Sequence, residues 1–163
     1  MTQTFTSSAT SINRSKLPAV YGKAPLRSRV VLDYGCGKYT DHIRASLPNK
    51  LYMPYDPYNQ PDEVNQKTMR FVSQTSCPVD VICSNVLNVI DSDEVIRSIV
   101  NQIETIVYRT HGTAYVTVYE GDRSGRGRQT GADQYQRNEP LRKYLRFFRL
   151  ADIHNGMIIV KGA

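Results

Sequence analysis

The stretch RVVLDYGCGKYTD, Arg29 to Asp41, decides the fold. Val30, Val31 and Leu32 make an apolar run that ends at Asp33 and Tyr34, and Gly35 and Gly37 follow with one residue between them. The run reads as a buried strand over Arg29–Tyr34, and Thr40 or Asp41 can begin a short helix that stops before Pro48. A strand that breaks into a glycine turn and then a helix is the opening unit of a sheet wound with crossover helices.

The rest of the chain continues that pattern. LYMPYD, Leu51–Asp56, reads as a second strand ending at an acid, and Pro54 within it argues for an edge or a bulge. PDEVNQKTMRFVSQ opens with Pro61 and two acids, which suits a short helix, and then a weak strand around Met69–Val72. VDVIC, Val79–Cys83, is a buried strand, the fourth in this count, that stops near Ser84 and Asn85. DSDEVIRSIVNQIETIV has Asp91 and Glu94 at capping-box spacing and apolar residues at Val95, Ile99, Ile103 and Ile106, which predicts a long amphipathic helix. Thr113–Tyr119 is a further strand, GDRSGRGRQTGADQ a loop, and EPLRKYLRFFR a helix with Leu141, Tyr144, Leu145 and Phe148 toward the core. LADIHNGMIIVKG reads as two short strands turned at Asn155-Gly156. The fold class expected is a Rossmann-like, doubly wound α/β sandwich: a mostly parallel sheet closed by a C-terminal antiparallel hairpin.

Bulk properties bound the rest. With 163 residues the chain has the length of one domain, expected over residues 17–163, behind a Ser- and Thr-rich flexible arm at 1–16 that would order on the body or on a ligand. Apolar runs are strand-sized, short of the ~20 residues of a membrane span, and no secretory signal is evident, so a cytoplasmic location is expected. Cys36, Cys77 and Cys83 have neither disulfide nor metal spacing, which argues for reduced, partly buried thiols and no metal. The net charge of +6 suits an anionic partner, nucleic acid or nucleotide. Gly121–Arg149 carries eight cations, among them Arg123, Arg126 and Arg128, which are candidate acceptor-binding residues at the edge of the fifth strand.

In a doubly wound sheet, ligands sit beyond the carboxyl ends of the strands where strand order reverses. Gly35 and Gly37 would let a ligand approach the backbone, and Asp56, about twenty residues on, stands where an acid receives ribose hydroxyls. Thr40 occupies the third position of GxGxxG, which weakens an NAD reading. An acid before the first glycine, Asp33, would repel a pyrophosphate and attract a sulfonium or an ammonium.

DYGCGK followed by YDPY and SNVLNVI resembles class I S-adenosylmethionine-dependent methyltransferases; the short form with YEGD at a strand end and a terminal hairpin is similar to small methyltransferase-like proteins of phages and mobile elements. Tyr39 stands where the family usually has a further glycine. The resemblance implies that Asp33, Gly35 and Gly37 line the methionine end of the cofactor, that Asp56 holds the ribose, and that Ser84 and Asn85 face the methyl group or the substrate. Asn85, Glu120 and Asp122 are the candidate catalytic residues: an amide to orient the nucleophile and two carboxylates to receive a proton. Asn88 and His154 are also expected at this edge. SNVLN differs from the Asp-Pro-Pro-Tyr-like sequence that DNA amino-methyltransferases need, and Cys77-Pro78 reverses the Pro-Cys of cytosine C5 chemistry. A non-catalytic cofactor-binding module or subunit of a larger complex is the alternative function.

Overall fold

Val30–Tyr34 forms β1, in which all five residues are buried, because the strand lies inside the sheet with both faces covered. The structure, a computed structural model, describes residues 3–8, 11 and 13–162. After β1 come α1 (Asp41–Ala45), β2 (Leu51–Tyr55), α2 (Asp62–Gln74), β3 (Val79–Ser84), α3 (Asp93–Thr110) and β4 (Thr113–Thr117). A small hairpin of β5 (Arg128–Gly131) and β6 (Gln134–Gln136) follows, then β7 (Asp152–His154) and β8 (Met157–Lys161).

The six-stranded sheet has the order β2-β1-β3-β4-β8-β7. β1 to β4 are parallel, β8 runs against β4, and β7 pairs antiparallel with β8. This is the Rossmann-like α/β architecture. β2 lies on one side of β1 and β3 on the other, so the winding reverses at β1 and the switch point falls between the carboxyl ends of β1 and β3.

The two faces of the sheet are covered unequally. α2, α3 and a 3₁₀ turn at Leu141–Phe147 bury Leu32, Val81, Cys83, Val116 and Ile158 on one face. On the other, Val31, Ile82, Tyr115 and Met157 meet Val20, Tyr21, Ala24 and Leu26 from the chain before β1, and Leu47 after α1. A 3₁₀ turn at Ala19–Gly22 thus does on this face what a crossover helix does on the first.

Several elements differ from expectation. Met69–Val72 is no strand: α2 continues through it, because Asn65, Thr68 and Val72 form a buried helical stripe and the Thr68 hydroxyl donates to the Pro54 carbonyl at 2.6 Å. β3 is accordingly the third strand, not the fourth. The cap of α3 is Ser92, whose Oγ accepts from the Val95 N–H at 3.3 Å, while Asp91 accepts from the Thr4 N–H. The expected loop at 121–134 contains β5, and the expected helix at 139–149 is a 3₁₀ turn that buries Tyr144 and Phe147, three residues apart as that helix requires. Cys77 is exposed rather than partly buried. β2 is indeed an edge strand, as Pro54 implied, and the terminal turn has Asn155 at φ 52° and Gly156 at φ 72°. No helix among the described residues is long and apolar enough to cross a membrane.

Candidate functional site

Gly35 and Gly37 turn the chain out of β1 with φ of 79° and 82°. A Cβ on Gly35 would sit 2.3 Å from Val86 Cγ2, and one on Gly37 2.3 Å from Ser11 Oγ, so both positions need glycine for conformation and for space. The loop is held to the end of β2: the Gly35 and Cys36 N–H groups donate to the Tyr55 carbonyl at 2.7 and 3.1 Å, and Gln60 Nε2 donates to the Gly37 carbonyl at 2.8 Å.

Asp56 completes this brace. Its Oδ2 accepts from the Gly37 N–H at 2.9 Å and Asn59 Nδ2 at 3.2 Å, and its Oδ1 from the Tyr58 and Asn59 N–H groups at 3.0 and 3.1 Å. A carboxylate has about four acceptor positions, and the chain's own donors fill them here. Asn65 clamps the backbone on both sides, accepting from the Asp56 N–H and donating to the Asp56 carbonyl, each at 2.9 Å. Asp56 lines the cleft but is 7% exposed, and what it visibly does is set the glycine loop.

Asp33 contrasts with it. It is 4% exposed, accepts a 2.5 Å hydrogen bond from the Tyr52 hydroxyl, and is faced by the buried Tyr21 hydroxyl. Among the described residues no Lys or Arg forms an ion pair with it. Burial raises its carboxyl to about 6; the Tyr52 and Tyr21 hydroxyls pull it down and the nearby Asp56 charge pushes it up. Burial first, and Asp33 second, raise both tyrosines above the ordinary phenol range, which keeps them protonated donors. The Cys36 and Cys83 thiols are raised for the same two reasons and stay neutral.

Asp33 and Cys36 border a cleft of about 430 Å³ at the switch point. Asp33, Gly35, Gly37, Asp56, Ser84 and Asn85 all line it, so the six candidates from the strand ends come together. Asn85 has φ 57° and donates its N–H to the Thr117 carbonyl at 2.9 Å, which holds the β3 end to β4; Ser84 Oγ meets Thr117 Oγ1 at 3.2 Å. Val86, Val89, Ile90, Val95 and Ile99 make the apolar wall.

The other candidates are elsewhere. Glu120 does not line the cleft: β4 ends at Thr117, and Glu120 instead accepts from the Leu141 N–H at 2.7 Å and pairs with Arg123 at 2.9 Å. Asp122 is exposed and closes a turn on the Ser124 N–H at 2.9 Å; the Ser124 hydroxyl first, and this backbone bond second, hold its carboxyl below the usual range. Arg123, Arg126 and Arg128 are exposed on the loop and hairpin outside the cleft lining. Asn88 is buried, with Nδ2 donating to Gln136 Oε1 at 3.1 Å, and His154 is exposed in β7.

One wall of the cleft comes from a part of the chain that no periodicity marked. Gln3, Thr6, Ser7, Ser11 and Asn13 of the arm line it. The Thr6 N–H donates to Asp133 Oδ1 and the Ser7 N–H to the Asp133 carbonyl, both at 2.8 Å, and Phe5 stacks on Tyr135 with centroids 5.6 Å apart. Ser11 Oγ accepts from the Lys38 N–H at 2.7 Å, so the described part of the arm runs from the β5–β6 hairpin to the glycine loop. Tyr21 and Tyr52 were likewise unmarked, since the acid they face, Asp33, lies across sequence gaps that patterning does not span. Compared with protein-family models, curated proteins and solved structures, the chain matches none of them.

Proposed function

We propose that the cleft binds S-adenosylmethionine and that the protein transfers a methyl group to an anionic acceptor. The observation that carries this reading is Asp33, a buried carboxylate at the root of the glycine loop that borders the cleft without a protein cation. A buried charge is costly unless paired, and a ligand with a positive centre would supply the pairing. The same carboxylate, with Asp56 nearby, disfavours a pyrophosphate and hence NAD. The fit is good at the glycines and the apolar wall. It differs from the sequence expectation at Asp56, whose acceptor positions are taken; Asn59, bonded to Asp56 and in the cleft lining, is the group left to meet ribose hydroxyls.

When bound, the cofactor would supply a methyl group already activated on a sulfonium. The chain's part is then alignment and exclusion of water, and well-held reactants gain up to ~7–11 kcal/mol. Asn85, fixed at the end of β3, orients the nucleophile, while the arm and the apolar wall keep water out. Beyond Asp33 and Asp56 the described lining holds no carboxylate or Lys, which suits a displacement needing no dedicated base. That feature also suits the second reading, a module that binds the cofactor without chemistry.

Calorimetric titration with S-adenosylmethionine, S-adenosylhomocysteine and NAD tests the proposal. Saturable binding of the first two is expected, with Asp33→Asn weakening the sulfonium form most. Binding of NAD alone, or none, overturns it. Transfer of labelled methyl to an anionic acceptor then separates an enzyme from a binding module.

A further inference from the structure

Tertiary structure sorts the cations of residues 121–149. Arg137 is buried, with Nη1 on the Ile90 carbonyl and Nη2 on Asp93; Arg146 pairs with Glu139 at 2.8 Å and Arg123 with Glu120 at 2.9 Å. On the loop and hairpin this leaves Arg126 and Arg128, both exposed and in no ion pair among the described residues. Asp122 is close enough to feel both charges, yet its hydrogen bond goes to Ser124, and Asp133 is engaged by Thr6.

The segment bearing these arginines is held in place. Asn138, buried and at φ 58°, accepts from the Gly125 N–H at 2.8 Å and donates Nδ2 to the Arg126 carbonyl at 3.0 Å. Gln136 Nε2 donates to the Tyr119 carbonyl at 2.9 Å, tying the hairpin to the carboxyl end of β4. Tyr119 is nevertheless 64% exposed, and Tyr58, in the cleft lining at the end of β2, is 49% exposed. At the glycine loop, Arg14 stacks 4.5 Å over Tyr39, with Lys38 5.8 Å from the same ring. The edge of the sheet that holds the cleft therefore carries unpaired cations and exposed aromatic rings together.

We propose that this rim binds a single-stranded nucleic acid, with Arg126 and Arg128 on its phosphates and Tyr119 stacked on a base. Arginine forks suit phosphate oxygens, and an exposed ring stacks on a base of any identity once that base is out of a duplex. A paired duplex hides those faces, so single strands are the favoured form. Because the loop is ordered by Asn138 and Gln136 beforehand, less conformational entropy is lost on binding. That this strand is the methyl acceptor rests on the reading of the cleft above; the binding itself does not.

The test is fluorescence anisotropy with labelled oligothymidine, oligouridine, a mixed-sequence DNA duplex and heparin. The full chain is compared with Arg126→Glu plus Arg128→Glu and with Tyr119→Ala. One of the two single strands is expected to bind more tightly than the duplex, and the pair identifies DNA or RNA. The double variant should lose at least ~10-fold with a shallower salt dependence, and Tyr119→Ala about 5- to 100-fold toward the single strand with heparin binding unchanged. Equal binding of duplex and single strand, or indifference to either variant, overturns the proposal. These exposed substitutions should leave the thermal midpoint in place, and S-adenosylmethionine calorimetry on the same samples separates failure of the rim from failure of the cleft.

Discussion

Asp33 and Asp80 are buried aspartates on the same face of adjacent strands, and they are built for different ends. The β1–β3 register sets Val31 beside Asp80 and Asp33 beside Ile82, so the two acids are two steps apart along the sheet. Asp80, 2% exposed at the amino end, accepts from the Arg27 and Ser28 N–H groups and the Ser28 hydroxyl at 2.9 Å, and from the Thr113 N–H at 3.0 Å. It fastens the segment before β1 and the start of β4. Asp33, at the carboxyl end, has one hydroxyl bonded to it and borders the cleft. Burial alone does not distinguish a structural acid from a binding one; the number of donors around it does.

The largest effect should come from breaking the satisfied site. Asp80→Ala leaves three backbone donors and a hydroxyl without their acceptor, and is expected to cost about 3–5 kcal/mol in urea unfolding. Asp33→Asn should do the opposite at neutral pH. Its folded carboxyl, at about 6, is raised above its unfolded value, so its favourable contribution is present below about pH 4 and lost as pH rises through about 6. The asparagine variant should therefore gain up to about 3 kcal/mol at pH 8 and little at pH 4, with affinity for a cationic ligand lost. A variant less stable than the parent at pH 8 would refute the contrast.

Next in size is Tyr52→Phe, which removes the donor that holds Asp33 ionised. In the parent, ligand affinity should fall as pH drops through about 6, and in the variant that fall should begin at higher pH, with about 5- to 10-fold weaker binding at neutral pH. Calorimetry across the pH range reads both. The smallest effect belongs to the arm. Asp133 is held below its ordinary range by Thr6, so this contact is present above the unfolded carboxylate value and lost as pH falls through the folded one. Asp133→Asn should make the arm easier to cleave by protease at neutral pH without moving the thermal midpoint.

Much of the architecture was legible because it depends on short-range patterns. The apolar run at Val30–Leu32, the two glycines after Tyr34 and the Asn155-Gly156 turn each state a local conformation, and each is found. Met69–Val72 misled because β-branched and apolar residues suit a strand and a buried helical stripe alike; packing of Thr68 on Pro54 decided for the helix. Glu120 and Asp122 were placed in the site by their distance from a strand, but β4 ends two residues before Tyr119, and each acid then met a donor of its own.

From residue order alone come the parallel α/β plan, the glycine loop at its switch point and the positions of Asp33 and Asp56, since these follow from periodicity and spacing along the chain. Tertiary structure decided which of those acids is filled and which borders the cleft without a cation, that the arm makes a wall of the cleft, and which arginines stay unpaired. Hydrogen bonds and ion pairs join residues by distance in space, and partners such as Thr6 and Asp133 meet across 127 positions that no local pattern connects.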